Sequence, residues 1–116
     1  MFPPPPESIL LVDDNPVILR LLGATLRQPN VLAGGVAEAC LLLERSRFTS
    51  VISDLNLGDG DGLEVLQVAR AQQPWARRWL LCADADERAN AALASGLASG
   101  LIPKPWTVAT LRALVP

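Results

Sequence analysis

The sequence predicts an α/β fold: a single three-layer (βα)5 doubly wound domain, with a five-stranded parallel sheet covered by helices on both faces. Three observations predict it. Short, nearly continuous apolar runs such as Ile9-Leu10-Leu11-Val12 read as strands buried on both faces. These runs alternate with segments of helical period, the order that builds a parallel sheet through right-handed crossovers. Glycine, proline, asparagine and aspartate punctuate the boundaries, as turn chemistry requires.

The elements follow in order. Residues 8–13 form the first strand. Asn15 is placed to cap the first helix, with Pro16 in its opening turn. The expected core face of that helix is Val17, Leu21, Leu22 and Leu26, and Gln28-Pro29-Asn30 stops it. Val31-Leu32-Ala33 is a weak second strand ended by Gly34-Gly35. Val36 to Arg45 reads as the second helix, and Thr49 to Asp54 as the third strand. A turn-rich loop, Leu55 to Gly62, precedes a third helix over Leu63 to Gln72, packed through Leu63, Leu66 and Val68. Arg78 to Cys82 is the fourth strand, Glu87 to Ser95 an alanine-rich helix, Leu101-Ile102 a short fifth strand. Thr107 caps a last helix that runs to Val115. Trp75 and Trp79 read as partly buried packing residues.

At 116 residues the chain suits one domain, residues 8–116, behind a proline-rich tail at 1–7 in which Pro3 to Pro6 run consecutively. A chain of this size buries roughly two-thirds of its unfolded surface. Half the residues are hydrophobic and 19% are charged, which excludes a disordered chain. The net charge of −2 and the lack of a basic cluster argue against direct nucleic-acid binding. No apolar stretch approaches the ~18 residues of a membrane span. Met1-Phe2-Pro3 lacks the positive start of a signal peptide. Cys40 and Cys82 have no metal-type spacing; they read as reduced thiols of a cytoplasmic protein, although count alone leaves a disulfide open. There is no histidine. That removes Ser-His-Asp and Cys-His nucleophile systems and histidine-type zinc sites. It also means that this chain could accept a phosphoryl group in a relay but not donate one from histidine.

The chemistry concentrates at strand ends. Asp13 and Asp14 leave the first strand, Asp54 ends the third, and Lys104-Pro105 follows the fifth. Ligand sites of open α/β sheets form outside the carboxyl ends of the strands. If these strands are neighbours, three acids and one lysine share a pocket suited to a divalent cation and a phosphoryl group.

With these motifs the chain resembles the response-regulator receiver domain of two-component signalling, the CheY-like superfamily, from about Ser8 to Val115. Val12-Asp13-Asp14, Ser53-Asp54 and Lys104-Pro105-Trp106 carry the likeness, and the passage Ala94 to Gly100 looks like the family's approach to its fifth strand. The resemblance implies a flavodoxin-like strand order of 2-1-3-4-5. It implies Asp54 as phosphoacceptor, with Mg2+ held by Asp13, Asp14, Asp54 and the backbone carbonyl of Asn56. Lys104 would pair with Asp54 and later with phosphate. A histidine kinase or histidine phosphotransfer protein would supply the phosphoryl group. The surface formed by the fourth helix, fifth strand and fifth helix would switch, acting on an output domain, a downstream protein or a second copy of the chain. Such a domain is no enzyme beyond catalysing its own phosphorylation and dephosphorylation.

Three positions depart from the family pattern. Cys82, followed by Ala83, stands where a Ser or Thr hydroxyl usually meets phosphate. A thiol is a weaker donor, so the phosphate would couple less strongly to conformation; equally, Cys82 can be a small buried hydrophobe. Leu101 replaces an aromatic switch residue. Leu57-Gly58 replaces Met-Pro, and Gly58 should loosen the loop. A degenerate receiver that docks or dimerises without phosphate is therefore the competing reading. A calcium loop from Asp54 onwards fails, because Gly58 and Asp59 hold the positions that want an oxygen ligand and a glycine. A metal-dependent phosphatase of the Asp-x-Asp kind is disfavoured by the adjacency of Asp13 and Asp14 and by the lack of room for a cap segment.

Overall fold

The computed structural model describes residues 8–83 and 86–115. The expected proline-rich tail at 1–7 lies outside the described residues. The strands β1 (Ile9–Val12), β2 (Asn30–Ala33), β3 (Ser50–Asp54), β4 (Arg77–Cys82) and β5 (Gly100–Pro103) form one parallel sheet. Its order is β2-β1-β3-β4-β5, the 2-1-3-4-5 arrangement. The helices are α1 (Pro16–Thr25), α2 (Val36–Arg45), α3 (Gly62–Gln72), α4 (Glu87–Ala94) and α5 (Val108–Leu114). Among the described residues, no helix is long and apolar enough to cross a membrane.

Two hydrophobic layers hold the three tiers together. On one face, Leu10, Val12, Val51 and Leu80 pack against Ala39 and Leu43 of α2, Val65 and Leu66 of α3, and Ala89 and Ala92 of α4. On the other, Ile9, Leu11, Ile52, Trp79, Leu81 and Ile102 meet Leu19 and Leu22 of α1 and Leu111 of α5. Alternate residues of each strand thus serve opposite layers, as the two-residue period of a strand dictates. Pro103 pairs with Cys82 on the sheet's edge strand, a place where its missing N–H is tolerated.

The caps behave as local chemistry demands. Asn15 Oδ1 accepts from Val17 N and Ile18 N, and the Thr107 hydroxyl accepts from Thr110 N. No disulfide joins Cys40 and Cys82. Trp79 is buried, whereas Trp75 is half-exposed, its indole N–H donating to the Phe48 carbonyl at 3.0 Å under the stacked Arg47 guanidinium.

The core face expected for α1 needs correction. Leu22 and Leu26 are buried, but Val17 is 63% and Leu21 51% exposed, while Leu19 is buried instead. Helical geometry explains the difference: 19, 22 and 26 share a stripe at spacings of three and four, and 17 and 21 fall on the opposite side. Every one of these positions is apolar, so pattern alone could not choose between the two stripes. In α3, Val65, Leu66 and Ala69 form the buried face, with Leu63 and Val68 at its margin.

Candidate functional site

The loops at the carboxyl ends of β1, β3 and β5 meet above the centre of the sheet. β1 and β3 are hydrogen-bonded neighbours, with Val12 level with Ser53, so the residues that follow them emerge side by side. Asp13, Asp14 and Asp54 each offer a carboxylate oxygen, and these oxygens lie within 4.8 Å of one another. Lys104 arrives from β5, where its backbone N–H donates to the Cys82 carbonyl at 3.0 Å. From there Nζ reaches Asp54 Oδ1 at 2.8 Å. The Lys104-Pro105 peptide is cis.

Burial divides the acids. Asp13 and Asp54 are almost wholly buried and Asp14 is exposed. Burial pushes the Asp13 carboxyl above the usual range, and the charges of Asp54 and Asp14 push it further. The Asn15 N–H, donating to Asp13 Oδ1 at 2.9 Å, and the Lys104 ammonium pull it back only in part. Three carboxylates facing one ammonium leave negative charge in excess. A hard cation with oxygen ligands fits that donor set; this fit rests on the three clustered carboxylates.

The cleft above the acids encloses about 690 Å³. Ile18, Leu21, Pro105 and Trp106 form its apolar wall. The exposure of Leu21 thus has a place in the architecture: it borders the cleft instead of the core.

The sequence-predicted residues fall into two groups. Asp13, Asp14, Asp54 and Lys104 come together. Cys82 is buried in the layer beneath α2, α3 and α4, among apolar neighbours. Ala83 is exposed, and Leu101 is partly buried against the same layer. Asn56 is exposed, and its side chain makes a contact that sequence reasoning missed: Arg88 Nη2 donates to Asn56 Oδ1 at 2.9 Å, linking α4 to the loop after β3. Asp59, read as turn chemistry, is a second omission. Its carboxylate accepts from Val36 N at 2.8 Å and Ala37 N at 3.1 Å, which holds it below the usual carboxylate range. No sequence signal pairs residues so far apart.

Comparison with known proteins agrees with this geometry. The alginate biosynthesis transcriptional regulatory protein AlgB of Pseudomonas putida is 38% identical over 108 residues, covering 90% of this chain and 24% of that protein. The response regulator protein PilR of Pseudomonas aeruginosa is 34% identical, covering 94% of this chain and 25% of its own. The chain therefore spans about a quarter of the length of these curated relatives. Among solved structures, the signal receiver domain of an HD domain-containing protein from Pseudomonas fluorescens Pf-5 superposes with a TM-score of 0.83 at 31% identity. It covers 94% of this chain and 90% of that one. The family model described as response regulator receiver domain matches residues 9–116, and with the sheet order and the convergent acids it places this chain in the receiver domains of response regulators.

Proposed function

We propose that this domain is a phosphoryl-accepting switch in which Asp54 is the nucleophile. The observation that carries the reading is the 2.8 Å ion pair of Lys104 and Asp54 beside two further carboxylates. An Asp54 carboxylate oxygen forms the new bond to phosphorus as the bond from phosphorus to a partner's imidazole nitrogen breaks, and that nitrogen keeps the electron pair. A histidine kinase or histidine phosphotransfer protein is the donor that suits a chain without histidine.

Asp13, Asp14, Asp54 and the Asn56 carbonyl would hold Mg2+. When bound there, the cation would neutralise charge that otherwise keeps an anionic nucleophile from an anionic phosphoryl group. Lys104 holds Asp54 oriented at rest and is free to pair with a phosphoryl oxygen afterwards. The burial of Asp54 limits water around the nucleophile.

The readout is the surface of α4, β5 and α5, acting on an output domain or a downstream protein, with a second copy of the chain as another partner. The setting is cytoplasmic. The retained ionic set speaks against a degenerate, phosphate-independent module, because clustered carboxylates without a cation only repel one another. The test is exposure to a small acyl phosphate with Mg2+, followed by intact-mass measurement. Wild type should gain one covalent phosphate, and Asp54→Asn and Asp54→Ala none. Stable phosphate on Asp54→Ala refutes the assignment.

A further inference from the structure

Resting on the metal site proposed above, we infer that Asp59 is a positioning residue: it ties the loop carrying Asn56 to the N-terminus of α2 and so fixes the site's metal-facing backbone. The loop after β3 folds as a minimal hairpin. Asn56 pairs with Asp61 and Leu57 with Gly60, so Gly58 and Asp59 form its tip. One side of the tip faces the acids, since a methyl placed on Gly58 would lie 3.5 Å from Asp14 Oδ2. The other side reaches α2, where both Asp59 oxygens accept from the first backbone N–H groups of the helix.

α2 depends on this arrangement. Its N-cap position is Gly35, which supplies no side-chain acceptor. The first N–H groups of a helix lack intrahelical partners, and a carboxylate there also meets the positive end of the helix dipole. Asp59, from 23 residues away, provides what a local cap would. Gly35 makes room for it: a Cβ there would lie 2.6 Å from Asp59 Oδ1. Gly60, at φ +156°, also keeps the hairpin close to its neighbours, because a Cβ at that position would lie 2.7 Å from Glu64 Oε2 and 3.0 Å from Val36 Cγ2.

Gly58 gives the tip conformational freedom that a more restricted residue would deny it. The Asp59 tether removes that freedom from outside, by anchoring the adjacent residue to a packed helix. Loss of the tether should leave the Asn56 carbonyl and the Gly58 backbone poorly placed against Asp14, while the carboxylates remain.

The experiment separates helix capping from positioning. Mg2+ affinity is measured by calorimetry on wild type, Asp59→Ala and the double variant Asp59→Ala/Gly35→Asp, with thermal midpoints alongside. The double variant restores both an α2 cap and the lost negative charge but leaves the hairpin without its tie to α2; Gly35 has φ −178°, a backbone open to any residue. Asp59→Ala should bind Mg2+ about tenfold more weakly, as losses of outer supports of metal ligands do. The double variant should recover its thermal midpoint yet stay weak for Mg2+. Unchanged affinity in Asp59→Ala, or recovery of affinity in the double variant, overturns the inference. If Asp59→Ala unfolds, the double variant, which carries its own α2 cap, is read alone, and wild-type Mg2+ affinity in it overturns the inference. A wild type that takes up no Mg2+ refutes the metal-site reading itself, and this inference with it.

Discussion

Lys104 Nζ lies 2.8 Å from Asp54 Oδ1, joining two residues fifty positions apart across β3 and β5, strands separated by β4. Asp54 is nearly buried while Lys104 is over one-third exposed, so the pair stands between a surface and a buried ion pair. Lys104→Ala should cost on the order of 1 kcal/mol of stability without metal, above exposed pairs and below fully buried ones. Urea denaturation measures it, and a midpoint at or above wild type would show that the pair is not stabilising.

Removing a member of the acidic set should act in the opposite sense. Asp13 is buried among like charges, and its carboxyl is pushed up by burial and by Asp54. Asp13→Asn deletes that repulsion, and the amide can still accept from the Asn15 N–H. The metal-free protein should become more stable by about 1 kcal/mol while losing the stabilisation that Mg2+ confers on wild type. Thermal melts with and without Mg2+ decide; a less stable metal-free variant contradicts the electrostatic account.

Two glycine substitutions should diverge sharply. A Cβ on Gly62 would run into the backbone carbonyl oxygen of Asp54 and come within 3.0 Å of Ser53 Oγ. Neither strand nor helix can easily give way, so Gly62→Ala should cost ~2 kcal/mol or more and displace Asp54. Gly34 has nothing within 4 Å of the corresponding position. Gly34→Ala should be neutral or gain up to ~1 kcal/mol through the unfolded state. Equal effects at both sites would refute the steric argument.

Asp59 sets an acid-side expectation. Its carboxyl is held below the ordinary 3.8 by the N–H groups of Val36 and Ala37. A depressed folded value contributes stability that is fully present above 3.8 and lost as pH falls through the lower folded value. Amide chemical shifts of Val36 and Ala37 should therefore titrate with a midpoint below 3.8. A midpoint at or above it would mean that the two hydrogen bonds do not favour the carboxylate.

Much of this molecule is legible along the chain because its signals are local. Apolar runs and turn residues mark the five strands of the parallel sheet and the five helices, though not the two-stranded hairpin at Asn56 to Asp61, and Asn15 and Thr107 announce their helices within three residues of themselves. Acids and a lysine placed just after apolar runs mark the carboxyl ends of strands, which is why Asp13, Asp14, Asp54 and Lys104 stand out before any coordinates. Tertiary structure decided what depends on distance. It chose the buried stripe of α1, sending Val17 and Leu21 outward, because several apolar faces were available and only the sheet's position selects one. It put Cys82 into the core layer. It joined Arg88 to Asn56 across 32 residues and Asp59 to Val36 across 23. Side-chain period and capping act over a few residues, whereas such meetings require the strand order and the packed layers to exist first.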